Sequence, residues 1–211
     1  MTQKVIPVEI NEVYKPLSDE VAYLHKKWGI FCQLYASGDD IIDLLNSSAG
    51  GFFYECQEIW GADIISNISR LTDPKQMGKG KNTRDNLSLE KLVHAIDSGK
   101  FSTLKSNIEK LLDETMNRCS VIRKFRHKRL GHIDFFTRVN ARANPLSIPT
   151  KKNIEDALES ICNVMNAVSK HFHGSDIATV NYTDLVDLPH DAHMLIARLR
   201  EAKVYRSQRQ E

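Results

Sequence analysis

No run of this 211-residue chain approaches the roughly 20 apolar residues that a membrane-spanning helix needs. The N-terminus, MTQKVIPVEINEVYKPLSDE, has neither the apolar stretch nor the small-residue cleavage site of a signal peptide. A cytoplasmic protein is the expectation. Only four cysteines occur, Cys32, Cys56, Cys119 and Cys162, far apart and without a CxxC pair. One falls in each of four expected helices, as small buried hydrophobes in a reducing compartment would, rather than as disulfide partners. Ten Gly and six Pro punctuate the chain mostly in clusters, and no internal repeat or alternating strand pattern is found. Net charge is only +2, so attraction to a polyanion cannot come from overall charge and must come from local clustering.

What is present is helical periodicity. With 41% hydrophobic and 27% charged residues the chain falls in the ordinary globular class. Residues 1–16 read as irregular, broken by Pro7 and Pro16. Ser18 then caps a helix from Asp19 to about Ala36, striped by Val21, Leu24, Trp28, Phe31 and Tyr35. A short helix through Ile41–Leu45 leads to a long one from Gly51 to Leu71, with Phe53, Cys56, Trp60, Ile64, Ile68 and Leu71 in register. Thr72–Asn86 reads as a polar surface loop. Ser88 caps a short helix through Leu92 and Ile96, and a long helix runs from Thr103 past Phe125. The strongest seam follows: Ile154, Leu158, Ile161, Met165, Val168 and Phe172 step by 4, 3, 4, 3, 4. A last helix is expected from Pro189 to Tyr205. The fold class is all-α, a bundle of long antiparallel helices with an extra C-terminal helix. Its expected organisation is an irregular segment 1–16, a helical domain 17–173, and a C-terminal loop and helix, 174–211, packed on the same domain. Aromatic and Met positions on the stripes belong to the core and carry no assigned chemistry.

Arg123–His132 reads RKFRHKRLGH, with Arg123, Lys124, Arg126, Lys128 and Arg129 beside two histidines. From Arg118 to Arg142 the only acid is Asp134. Such a cluster attracts a polyanion with an affinity that falls steeply with salt. Cations at a helix C-terminus are also favoured by its dipole, and long basic side chains solubilise a surface. The apolar stripe, however, ends at Phe125 as Arg126, His127 and His132 arrive, and Gly131 stands where a helix can loosen. In an unbroken α-helix, residues six apart lie about 240° around the axis and about 9 Å along it. Arg126 and His132 reach one phosphate only if the helix distorts near Gly131 or a second subunit supplies one of them.

Arg126, followed by His127 and then by His132 with five residues between Arg and His, resembles the active-site motif of the HEPN superfamily (higher eukaryotes and prokaryotes nucleotide-binding domains). The string RHKRLGHID is similar to the form found in its abortive-infection, AbiU-like branch. SRLTDP (Ser69–Pro74) and NLSLEKL (Asn86–Leu92) add two ordered blocks, so that the resemblance covers residues 17–173. It implies an all-α domain that forms a homodimer and brings two Arg–His sets into one cleft. It also implies metal-independent RNA cleavage, without a cofactor, in toxin or antiphage defence roles. A toxin branch carries Tyr two residues after the His, where a nucleotidyltransferase antitoxin modifies it. Asp134 stands there in this chain, so that form of control does not carry over, and any antitoxin or regulatory partner is left unspecified.

The chemistry expected of the motif is economical. RNA supplies its own nucleophile in the 2′-hydroxyl, so the protein needs positioning, proton transfer and charge stabilisation. His132 is the expected general base or acid, its pKa pushed below the ordinary value of about 6.5 by neighbouring cations. Arg126 grips the scissile phosphate, and His127 orients His132 or the phosphate, or is structural. Lys128, Arg129, Arg123 and Lys124 are expected to steer the RNA strand.

Other motifs are read as bland. GKGKNT (Gly78–Thr83) lacks the spacing and the preceding strand of a phosphate loop. Arg70 and Asp73, in the SRLTDP block, either belong to the cleft or close the helix end, and closing the helix end is the favoured reading. The pairs His171/His173 and His190/His193 lack further ligands and read as polar surface rather than a metal site. Two competing readings are a non-catalytic RNA- or nucleotide-binding module of the same fold, and a helical protein-interaction domain whose basic cluster engages an acidic partner.

Overall fold

Pro7 opens the first helix instead of interrupting an irregular segment. The computed structural model of the protein describes residues 5–131, 145–174 and 191–209. Helix α1 spans Val8–Tyr35, and the Pro7 carbonyl accepts from the amides of Ile10 (3.1 Å) and Asn11 (2.8 Å). The expectation of irregular structure before residue 17 is therefore corrected from Val8 onward. Pro16 lies inside the helix. An interior proline costs about 3 kcal/mol through its missing N–H and its ring clash. Ile6 and Ile10, upstream of it, are buried in the core, each worth about 1.5–3 kcal/mol. Their burial offsets the proline, and the helix runs through it.

Helix α2 (Asp39–Leu71) kinks at Ala49 (φ −158°, ψ 64°), so the short and long helices expected there are its two arms. Its stripe serves two different clusters. Phe53 packs with Leu34, Ile41, Leu44 and Leu45, whereas Ile64, Ile68 and Leu71 enter the main core. Trp60, between them, is 39% exposed and does not belong to either as a core residue.

Thr72–Asn86 is more than a polar loop. Gln76–Met77 (β1) and Arg84–Asp85 (β2) pair antiparallel, Gln76 opposite Asp85 and Met77 opposite Arg84, across a 3₁₀ turn at Gly80–Asn82. Gly78 has φ +104°, and a Cβ there would lie 2.3 Å from the Asn82 carbonyl oxygen, so only glycine fits. Asn86 closes the base of the hairpin, its Nδ2 donating to the Pro74 carbonyl at 2.7 Å. Two-residue strands carry no alternation for a sequence pattern to register.

Helix α3 (Leu89–Ala95) begins at Ser88, whose hydroxyl accepts from the Lys91 amide. The single long helix expected after Thr103 is divided at Cys119 (φ −81°, ψ −4°) into α4 (Ser102–Arg118) and α5 (Ser120–Phe125). A π-helical turn, Arg126–Gly131, continues α5. Helix α6 (Lys151–His173) starts on a reciprocal capping box of Thr150 and Asn153, and all six residues of its expected seam are buried. Helix α7 (Asp191–Gln208) contributes Ala192 and Ile196 to the cluster around Leu34 and Phe53.

The architecture is all-α, as the periodicity predicts, with α1, α2, α3, α4, α5 and α6 meeting in the main core. Among the described residues, no helix is long and apolar enough to cross a membrane. The four cysteines are free, with Cys119 buried and the other three half-buried.

Candidate functional site

The C-terminal end of α2 and the π-helical turn are packed against each other, and Arg123 is what pins them. Its Nη1 donates to the Thr72 carbonyl and, at 2.9 Å, to Thr72 Oγ1. The same nitrogen lies 3.6 Å from Asp73 Oδ1. Arg123 is thus engaged in joining α5 to the end of α2. Thr72 is itself buried, its hydroxyl within 3.1 Å of the carbonyls of Ile68 and Ser69.

Three residues further on, Arg126 lines a cavity of about 450 Å³. Its other walls come from Glu20 on α1, from Asn67, Arg70 and Leu71 on α2, and from Asp73, Asn86 and Leu87 at the hairpin base. The negative charge of Asp73 is offset by Arg123. Glu20 and Arg70 stand exposed at the rim, while Arg126 is half-buried. The cavity thus gathers two guanidiniums, Arg70 and Arg126, with the carboxylates of Glu20 and Asp73 and the amides of Asn67 and Asn86 around one concavity.

In a π turn the backbone hydrogen bonds reach from residue i to i+5, one residue further than in an α-helix, and such turns recur at functional sites. The turn spans Arg126 to Gly131, the stretch where convergence of Arg126 and His132 within one chain calls for a distortion. Gly131 closes it without a left-handed φ, and a Cβ there would meet only the Arg126 carbonyl at 3.4 Å. The loosening therefore comes from the wider turn and not from glycine's freedom.

The remaining cations divide by partner. Arg118 is held by Glu114 (2.7 Å) and Glu159 (3.4 Å), bridging α4 and α6. Lys124, Arg126 and Arg129 form no ion pair with a described residue, and Lys124 and Arg129 are exposed. His127 is exposed and Lys128 half-buried in the same turn. His132, the expected acid–base group, lies outside the described residues, as do Asp134, Arg138, Arg142 and His190. His171 packs edge-on against Phe101 (5.8 Å, 88°) and His173 closes α6.

A family model for the AbiU2 group of HEPN domains matches residues 8–200. The chain belongs to the HEPN AbiU2 family. Neither a search of curated proteins nor one of solved structures yields a match. HEPN domains are generally ribonucleases, and the AbiU2 group is an abortive-infection type. In this HEPN domain the motif arginine opens the π turn and faces the cavity whose walls include the other two blocks, Ser69–Pro74 and Asn86–Leu92.

The sequence reading understated one side of the site. Arg70 and Asp73, for which the sequence favours closing the helix end over membership of the cleft, are cavity walls alongside Arg126. Glu20 carried no signal at all. The single available clue was Asn67 at a buried position of α2, where the stripe calls for an apolar residue.

Proposed function

We propose that this HEPN domain is a metal-independent endoribonuclease, acting as a homodimer in a cytoplasmic toxin or antiphage defence role. Arg126 grips the scissile phosphodiester and stabilises the charge that develops on it. His132 moves the proton of the 2′-hydroxyl, and His127 orients His132 or the phosphate. Lys124, Lys128 and Arg129 supply the salt-sensitive attraction to the strand. Two copies of the motif meet at the subunit junction, so that each strand enters a cleft lined by both. The observation that carries the reading is that Arg126, in a chain of the HEPN AbiU2 family, lines the cavity beside Arg70 from a π turn.

Incubation of purified protein with total RNA in EDTA, beside Arg126→Ala and His132→Ala, tests it. Cleavage that both variants lose, with unchanged helical circular dichroism, supports the nuclease. Salt-sensitive binding without cleavage points instead to a non-catalytic RNA-binding module. Indifference to RNA points to a protein-interaction domain.

A further inference from the structure

Asp63, Asn67 and Arg70 follow one another along α2 at steps of four and three, which sets them on one face of the helix. Asn67 is only 6% exposed. Burying an amide among apolar residues is unfavourable unless its hydrogen bonds are made, and here both ends are used. Its Nδ2 donates to the Asp63 carbonyl (2.9 Å) and to Asp63 Oδ2 (3.1 Å), and its Oδ1 accepts from Arg70 Nη2. The Asp63 carboxylate is held in turn by Lys27 Nζ, which sits 4.4 Å over the Tyr23 ring. The relay of fixed groups ends at the guanidinium of Arg70.

That guanidinium lines the cavity from the end of α2, whereas Arg126 lines it from the π turn. A guanidinium carries five N–H donors, and Asn67 takes one side of it. Arg70 forms no ion pair with a described carboxylate, so its remaining donors are available to an anion. A cation held by a buried amide rather than neutralised by an acid is arranged to bind. Two cations on separate elements of one cavity, Arg70 and Arg126, suit a ligand with two negative groups. Consecutive phosphates of a single strand are such a ligand.

We propose that Arg70, positioned by Asn67, binds the phosphate next to the scissile one, so that the cleft engages RNA across two consecutive phosphates. The proposal rests on the nuclease reading in that Arg126 marks the scissile phosphate. Two measurements test it. The first is affinity for a 2′-O-methyl oligonucleotide, which cannot be cut. Arg70→Ala is expected to weaken it roughly ten- to a hundredfold, the loss of a charge-assisted bond pair. The slope of log affinity against log salt should fall by about 0.7, one phosphate contact on a single strand. The second is cleavage of a trinucleotide with two phosphates beside a dinucleoside monophosphate with one. Arg70→Ala should raise KM on the first while kcat stays within about threefold, and should leave the second unchanged. Arg70→Lys should recover part of the trinucleotide affinity. Asn67→Ala should shift KM in the same direction, and Asn67→Ala/Arg70→Ala should be no worse than Arg70→Ala alone. Unchanged affinity in Arg70→Ala, equal losses on both substrates, or additive effects of the two substitutions would overturn the proposal. If the wild-type protein binds RNA but does not cut it, the nuclease reading fails, and oligonucleotide affinity still decides the role of Arg70. A wild-type protein that binds no RNA overturns both.

Discussion

His25 and Cys162 meet inside the bundle, with the imidazole Nε2 3.0 Å from the thiol Sγ, and the burial of His25 there makes the fold sensitive to acid. Burial pushes the Cys162 thiol up to about 12, with Glu159 adding to the shift, so the thiol stays protonated at neutral pH. The imidazole beside it is buried, which disfavours its charged form. Burial lowers the His25 pKa from 6.5 to about 4. Between those values the unfolded chain binds a proton that the folded chain refuses, so stability falls as pH drops through 6.5 and levels off below about 4. The gap between those values corresponds to about 3 kcal/mol, or about 2–3 kcal/mol after allowance for residual solvent contact. In a chain of this size that is a fall in melting temperature of about 4–12 °C. Urea unfolding at pH 7.5, 6, 5 and 4, for the wild type and His25→Gln, separates His25 from the carboxylates that titrate in both proteins. The wild type should lose about 2–3 kcal/mol more than His25→Gln across that range. Parallel pH profiles for the two proteins, or a His25 ring that titrates near 6.5 by NMR, would refute the reasoning.

Two substitutions probe the frame of the cleft. Arg123→Ala removes the bonds to Thr72 and Asp73 that join α5 to α2. It should cost about 1–3 kcal/mol in urea unfolding, and should lower RNA cleavage because Arg126 stands three residues away; a variant as stable as wild type would argue that the pin is idle. Gly78→Ala forces a side chain into a left-handed φ against the Asn82 carbonyl. The strain, about 1–3 kcal/mol, should open the hairpin locally and speed tryptic cleavage between Lys75 and Arg84, and an unchanged cleavage rate would contradict it.

Legibility in the sequence varied with how local the cause was. The seam of α6 was readable because each of its six positions repeats one helical interval against one core. Ser88 was readable because a cap needs only its own turn. The start of α1 was not, because whether Pro16 ends a helix depends on whether Ile6 and Ile10 find a distant core to enter. Trp60 kept helical spacing yet falls between two clusters, a property of the tertiary arrangement alone. At the site, Arg126 stood out through its motif, but five cations in ten residues look alike in sequence. Only packing separates Arg123, engaged with Thr72 and Asp73, from Arg126 at the cavity. The cavity walls are drawn from four separated stretches of chain, so Glu20 and Asn67 had no neighbour in sequence to mark them.

The most direct test is the chemistry of the cut ends of one defined RNA, treated in EDTA with wild type and with Arg126→Ala. In-line attack by the 2′-hydroxyl predicts a 2′,3′-cyclic phosphate facing a 5′-hydroxyl, and no cut beside a nucleotide carrying 2′-deoxyribose. Arg126→Ala should lose at least about a hundredfold in rate, the scale of removing a group that stabilises charge in the transition state. Ends bearing a 5′-phosphate, or an Arg126→Ala protein that cuts as fast as the wild type, would contradict the account.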